Sequence, residues 1–133
     1  MSSNPVIGKH LIADFSGALY QTDVNQIEYA LGAAAGAAGA VVLDVVVHRF
    51  QDTDGVTGVA ILAESHISIH TWPEHNYIAL DIFMCGSSDP QAALDWLTDF
   101  FKPVNVETQL IERSTSRMAN RRQPGTALDR EVI

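Results

Sequence analysis

Residues 64–74 are Glu-Ser-His-Ile-Ser-Ile-His-Thr-Trp-Pro-Glu, and this stretch decides how we expect the chain to fold. From residue 64 to residue 71, apolar and polar side chains alternate, as they do in a strand with one buried face. Residues 72–76 then predict a turn, and residues 77–85 predict a second strand beyond it. The stretch therefore fixes histidine, hydroxyl and carboxylate groups on the backbone of a β-hairpin.

Four further strands are predicted on either side of this hairpin, each rich in β-branched or aromatic residues. They span residues 9–15, 40–50, 56–63 and 104–111. Two helices are predicted from their capping residues, Asp23 for the first and Asp89 with Pro90 for the second. This order of elements predicts an α+β fold, a two-layer sandwich whose antiparallel sheet is covered on one face by helices.

The apolar pattern ends at Glu112, so we expect a single domain over residues 1–112. Residues 113–133 are polar and carry five Lys or Arg against two Asp or Glu. This composition predicts a basic, mobile C-terminal tail, with an arm lying on a partner subunit as the alternative.

The predicted domain is strongly acidic, with 3 Lys or Arg against 14 Asp or Glu and therefore a net charge of −11. Acidity argues against a nucleic-acid partner, because phosphates require clustered basic residues, and it suits a cationic substrate. The same net charge is equally consistent with surface acidity whose only role is to keep the protein soluble.

Location and assembly follow from length and cysteine content. No apolar run is long enough to cross a membrane, and residues 1–20 lack the pattern of a signal peptide. Cys85 is the one cysteine, which fits a reducing compartment, so we expect a cytoplasmic protein with no membrane partner. A domain of this size has little interior for an enclosed site, which favours a homodimer with sites near the seam between subunits.

Residues 64–86 closely resemble the self-processing and catalytic segment of the small prokaryotic S-adenosylmethionine decarboxylases, which are pyruvoyl enzymes. The matching features are Glu64-Ser65, His70 five residues after the serine, Trp72-Pro73-Glu74, and Cys85 twenty residues after the serine. Weaker similarity extends from Gly8 to about Glu112.

The resemblance implies that the chain is a zymogen that cleaves itself. The Ser65 hydroxyl would attack the carbonyl of Glu64, and β-elimination would leave a β chain of residues 1–64 and an α chain of residues 65–133. The cofactor would be a pyruvoyl group derived from Ser65. This ketone would bind the substrate amine as a Schiff base and serve as the electron sink for decarboxylation.

Three more residues acquire roles through the resemblance. His70 would be the base for processing, and Cys85 would return a proton to the substrate, although a lone cysteine is more often core filler. Thr57 falls where many members carry a serine that assists processing. Because Ser65 and His70 have opposite strand parity, we expect a bulge or kink between them.

The substrate is less well defined by the sequence. Phe50 corresponds to an aromatic residue that stacks on adenine and Glu74 to a carboxylate near the ribose hydroxyls, although a core and a solvated turn position would explain them as well. Asp52 and Asp54, in a loop longer and more acidic than usual in the family, would equally suit arginine or ornithine. We expect decarboxylation of S-adenosylmethionine to the aminopropyl donor of spermidine synthesis, with an arginine or ornithine decarboxylase as the alternative.

Two other classes of protein compete with this enzyme as interpretations of the sequence. A metal site would draw on residues near one hairpin, namely His66, His70, His75 and Cys85. We expect no bound metal, because a pair of histidines four residues apart is a ligand pattern of helices, whereas this segment predicts a strand. The cysteine pairs of a structural zinc site are also absent. A non-catalytic relative is disfavoured, because such a chain has no physical need to keep the four matching reactive positions.

Overall fold

A computed structural model describes residues 6–115, which form six strands and two α-helices. In chain order these are β1 (Val6–Ser16), α1 (Val24–Ala37), β2 (Val42–Arg49), β3 (Val56–Leu62), β4 (Ser65–Trp72), β5 (Tyr77–Cys85), α2 (Pro90–Phe101) and β6 (Asn105–Ser114). A short 3₁₀ turn, Pro73–His75, joins β4 to β5. The predicted α+β sandwich is confirmed. Most of the predicted basic tail lies outside the described residues, and β6 itself includes Arg113 and Ser114.

The strands form one antiparallel sheet in the order β2-β3-β4-β5-β1-β6. The stretch that begins at Glu64 therefore lies in the middle of the sheet. β4 is hydrogen-bonded along its length to β3 and β5, so its side chains are positioned by neighbours on both sides.

Both helices lie on one face of this sheet, α1 over β2 and β3, and α2 over β1 and β5. Each helix begins where its capping residue predicts, because Asp23 accepts from the Gln26 N–H at 3.1 Å and Asp89 accepts from the Gln91 N–H at 3.0 Å. Within α1, Leu31 reaches the sheet at Gly58, where an added Cβ would lie 3.1 Å from its Cδ1. This close approach buries the small-residue side of α1.

The structure has no bulge or kink between Ser65 and His70, so this expectation is wrong. The β4 register runs without a shift from Ser65 to His70 against β3, and from His66 to Trp72 against β5. A bulge in this central strand would interrupt two ladders at once. Ser65 therefore keeps the parity of the buried Ile67, whereas His70 has the opposite parity.

The face of the sheet opposite the helices, called here the open face, has no second layer within residues 6–115. It carries polar side chains together with exposed apolar ones, including Val46 (51% exposed), Ile61 (44%) and Trp72 (39%). In the same part of the chain, neither helix is long and apolar enough to cross a membrane.

Candidate active site

The tight turn between β3 and β4 presents the Glu-Ser pair at one end of the sheet, called here the Ser65 end. Glu64 occupies this turn with a φ of +66°. A non-glycine residue in the left-handed region costs about 1–2 kcal/mol, so the Glu64–Ser65 peptide follows a conformationally strained residue. Ser65 is half-buried, and its hydroxyl donates to the Ala63 carbonyl at 3.4 Å.

Cys85 ends β5 beside the same turn. Its Sγ lies 3.3 Å from the carbonyl oxygen of Glu64 and 3.6 Å from the side-chain Oε1 of the same residue. Desolvation raises the pKa of the Cys85 thiol, and the hydrogen bond and negative charge of Glu64 raise it further. The thiol is therefore held in its protonated form next to the carbonyl of the Glu-Ser peptide.

A second reactive pair stands near the opposite end of the sheet, called here the His70 end. Thr57 and His70 are paired across β3 and β4, and Thr57 Oγ1 lies 3.0 Å from His70 Nδ1. Among the described residues, none makes a hydrogen bond to His70 Nε2, so that nitrogen is open to a partner molecule or substrate. The pair lies on the open face, where a partner molecule or substrate can reach it.

The two ends are too far apart to act on one peptide within one chain. Ser65 and His70 are five residues apart on a regular strand, which corresponds to about 16 Å at the usual rise per residue. A general base must lie within hydrogen-bonding distance, about 3 Å, of the proton that it removes.

Phe50 and Glu74 also lie at the His70 end. Phe50 is 48% exposed, with its ring 4.6 Å from the His48 ring, so its alternative role as a core aromatic is wrong. Glu74 is exposed in the 3₁₀ turn. The loop after Phe50 contacts this turn, because a Cβ on Gly55 would lie 3.7 Å from Pro73 Cδ.

The acidic loop is closed on itself by backbone hydrogen bonds. The Phe50 N–H donates to Gly55 O at 2.8 Å, and the Asp54 N–H donates to Phe50 O at 2.8 Å. The Asp54 carboxylate lies 3.7 Å from Arg49, whereas Asp52 is exposed without such an ion pair among residues 6–115. Of the two predicted substrate carboxylates, Asp54 already has a cationic neighbour.

Sequence reasoning missed a polar network at the centre of the open face. Asp81 accepts from His10 Nε2 at 3.0 Å and from the Ser68 hydroxyl at 3.3 Å, and Arg113 Nη1 lies 3.4 Å from His10 Nδ1. Since guanidinium can only donate, Nδ1 accepts and Nε2 carries the hydrogen. The available signal was Asp81 itself, a carboxylate inside an otherwise apolar strand and on the same face as Cys85.

A further acidic group lies at the His70 end. The Tyr77 hydroxyl donates to Asp14 at 2.6 Å, and this hydrogen bond, with burial and the Asp14 charge, raises the pKa of Tyr77 to about 12. Tyr77 therefore stays protonated at neutral pH. With Glu107 and Asn105, these residues line a shallow pocket of about 140 Å³.

The four residues that a metal site would require are spread along the hairpin. Within residues 6–115, no three His, Cys, Asp or Glu side chains are grouped to hold a metal ion. His66 packs against Phe83 with ring centroids 5.9 Å apart, whereas His70 is hydrogen-bonded to Thr57.

Fold and site together define a small α+β enzyme, with a thiol beside the Glu-Ser peptide of a tight turn at one end of the sheet and an imidazole–hydroxyl pair at the other. Residues 9–114 match the family model described as S-adenosylmethionine decarboxylase. The chain belongs to this family.

Individual relatives agree with this assignment. A protein of Methanococcus aeolicus named S-adenosylmethionine decarboxylase proenzyme is 44% identical over 112 residues, covering 82% of this chain and 95% of its own. A proenzyme of the same name from Thermomicrobium roseum is 38% identical over 108 residues, covering 80% and 93%. The crystal structure of the adenosylmethionine decarboxylase from Aquifex aeolicus superposes with a TM-score of 0.72 at 34% identity, covering 81% of this chain and 91% of that one.

Proposed function

We propose that this chain is the proenzyme of a pyruvoyl-dependent decarboxylase, which cleaves itself between Glu64 and Ser65 and then acts on S-adenosylmethionine. The observation that carries the proposal is the Cys85 thiol, 3.3 Å from the carbonyl oxygen of Glu64, a residue held in the left-handed region at the Glu-Ser turn. The names of the relatives, which are proenzymes of S-adenosylmethionine decarboxylases, support both the processing and the substrate.

Processing begins when the Ser65 hydroxyl adds to the Glu64 carbonyl carbon and the peptide rearranges to an ester. The Cys85 S–H is placed to hydrogen-bond the oxygen that gains negative charge in this step. A base then removes the Ser65 α-proton, the ester bond breaks, and Glu64 leaves as a carboxylate. Water releases ammonia and leaves a ketone at residue 65.

We assign this step to His70, and because His70 lies about 16 Å from Ser65 along the same strand, we infer that the base comes from a second copy of the chain. If two open faces pair about a two-fold axis that crosses the strands, the Ser65 end of one chain lies over the His70 end of the other. Each site then combines Ser65 and Cys85 with the partner's His70. The exposed apolar side chains of the open face, among them Val46 and Ile61, favour such a homodimer.

The same pairing assigns the substrate-binding residues. Phe50 and Glu74 share the His70 end, so the partner's Phe50 and the partner's Glu74 would hold the adenosyl group beside the reactive Ser65 end. The ketone at residue 65 supplies the electron sink when carbon dioxide leaves. Cys85, held protonated, gives its proton to the substrate α-carbon and recovers it from water.

Arginine or ornithine remains the alternative substrate, because Asp52 is an exposed carboxylate in the loop beside Phe50. Asp54 is the weaker candidate for binding a cationic substrate, since Arg49 already lies 3.7 Å away. The exposed Phe50 ring favours a substrate with an aromatic base. We place the enzyme in the cytoplasm, as its single free cysteine suggests, and in the supply of aminopropyl groups to polyamines.

Intact-mass spectrometry of the purified protein tests this proposal. We expect two fragments, residues 1–64 and residues 65–133, with a ketone on the second that reacts with phenylhydrazine. Ser65→Ala should give one full-length mass and no reaction, whereas Ser68→Ala, three residues along the same strand, should still be cleaved. Persistent cleavage in Ser65→Ala would refute the mechanism.

A further inference from the structure

The side chain of Glu64 makes a contact that processing itself does not require. Cleavage needs only the main-chain carbonyl of this residue, yet its carboxylate Oε1 lies 3.6 Å from the Cys85 sulfur. The carbonyl oxygen lies 3.3 Å from the same atom. The thiol is thus held between two oxygens of one residue, both on the turn that self-cleavage would open.

The other groups around Cys85 do not offer a competing charge at contact distance. On β1, Gly8 is paired with Cys85 and has no side chain. On β4, His66 packs against the Phe83 ring, and on β6 the Arg113 guanidinium lies over the same ring at 5.9 Å from its centroid. His10 is bonded to Asp81. Glu64 is therefore the one charged residue with a hydrogen bond to the thiol among residues 6–115.

We propose that the Glu64 carboxylate is a positioning residue for the Cys85 thiol, sharing its single S–H with the Glu64 carbonyl oxygen and keeping the proton on sulfur until the substrate α-carbon takes it. A carboxylate beside sulfur disfavours the thiolate, because two negative charges would then lie within hydrogen-bonding distance. The direction agrees with the raised pKa of Cys85. The use of this proton in decarboxylation rests on the proposed function, whereas the contact itself does not.

Self-cleavage would strengthen the effect. The Glu64 carbonyl that Cys85 contacts is a neutral amide oxygen before cleavage and becomes part of a carboxylate afterwards. Glu64 would then carry two negative charges, the side chain and the new C-terminus. The self-cleavage that creates the ketone would thereby also keep on the Cys85 sulfur the proton that decarboxylation uses.

The test is a titration of the thiol in the uncleaved Ser65→Ala chain, whose one cysteine makes the signal unambiguous. The rate of alkylation by iodoacetamide is measured against pH, since only the thiolate reacts. In this background we compare Glu64→Gln, which removes the charge but keeps an acceptor, with Glu64→Asp, which keeps the charge on a shorter side chain. Glu28→Gln, an exposed carboxylate on α1, is the matched control.

We expect Glu64→Gln to move the titration to lower pH and to raise the alkylation rate at pH 8 by about threefold or more, as loss of a neighbouring negative charge requires. Glu64→Asp should move it less, and Glu28→Gln should not move it. In guanidinium chloride all four chains should titrate alike, which separates the folded contact from a general charge effect. Identical titrations of the parent and Glu64→Gln in the folded state would overturn the proposal.

Failure of the Glu64 proposal can be distinguished from failure of the proposed function. A shifted titration in a protein whose wild-type chain never cleaves would contradict the proposed function and leave the contact intact. Normal cleavage and decarboxylation with no shift would contradict only the role of Glu64. In the cleaved enzyme, Glu64→Gln should also move the alkaline limit of kcat to lower pH, which a purely structural role would not do.

Discussion

The proposed pairing of open faces predicts that cleavage occurs in trans, with the His70 of one chain acting on the Glu64–Ser65 peptide of the other. His70 lies about 16 Å along β4 from Ser65, whereas proton transfer requires about 3 Å. No register shift shortens the path. A chain that lacks His70 but keeps Ser65 should therefore be cleaved whenever its partner supplies the imidazole.

The assay co-expresses two differently tagged chains, His70→Ala with Ser65 intact and Ser65→Ala with His70 intact. Alone, Ser65→Ala should stay in one piece because it lacks the attacking hydroxyl, and His70→Ala should cleave very slowly, since losing a general base costs about 10²–10⁴-fold in rate. Together at equal amounts, random pairing puts about half of the His70→Ala chains into mixed two-fold dimers. We expect about half of that chain, and none of the Ser65→Ala chain, to be cleaved.

The control is His75→Ala, a histidine in the exposed turn close to His70, which should cleave fully without help. The converse mixture joins wild type with the double variant Ser65→Ala/His70→Ala, and here about half of the wild-type chain should remain uncleaved. If His70→Ala is never cleaved in the mixture, or if the wild type cleaves completely beside the double variant, His70 acts within its own chain. A fully active monomer would refute the pairing of open faces altogether.

Two further predictions concern the proton donor and the substrate. Cys85→Ala should still cleave, more slowly, but it should turn over poorly. Protonation at the wrong carbon should convert its ketone to alanine, which mass spectrometry of the α chain detects. Wild-type turnover would contradict the role assigned to Cys85. In competition among S-adenosylmethionine, arginine and ornithine, with carbon dioxide release as the readout, only the first should react, and Phe50→Ala should raise its KM by about 2–10-fold, the loss of one stacking contact. Asp52→Asn/Asp54→Asn should have little effect, and release from arginine or ornithine that those changes abolish would make the loop the specificity determinant.

The fold was accessible from the sequence because its local signals agree. Both helices begin at their acidic caps, and the alternation along β4 matches the buried Ile67 and Ile69 and the half-buried His66 and His70. The tight turn at Ala63 and Glu64 was not foreseen, since alternation continues through Glu64 and suggests a longer strand. Its conformation depends on the pairing of β3 with β4, which no single strand reveals.

Only part of the site could be predicted from the sequence, because its contacts join residues that are distant along the chain. Thr57 and His70 meet across β3 and β4, and Cys85 at the end of β5 meets Glu64 in the adjacent turn, and each contact depends on strand register rather than on spacing along the chain. The network around Asp81 joins four strands that are distant in sequence. Cys85 and Asp81 have the same strand parity and therefore share one face of β5, but parity does not show which side chains stand opposite them.

The five-residue spacing of Ser65 and His70 has a physical meaning even though the two side chains never meet within one chain. β4 is held by ladders on both sides, so a residue added between them would send His70 to the helix-covered face and break its bond to Thr57. The odd spacing leaves the Ser65 position on the helix side, at a turn that cleavage can open, while His70 faces outward. In a two-fold dimer the same spacing sets how far the His70 end of one chain extends over the Ser65 end of the other. The spacing therefore sets which face each group occupies, and under the proposed pairing it also sets how two copies overlap.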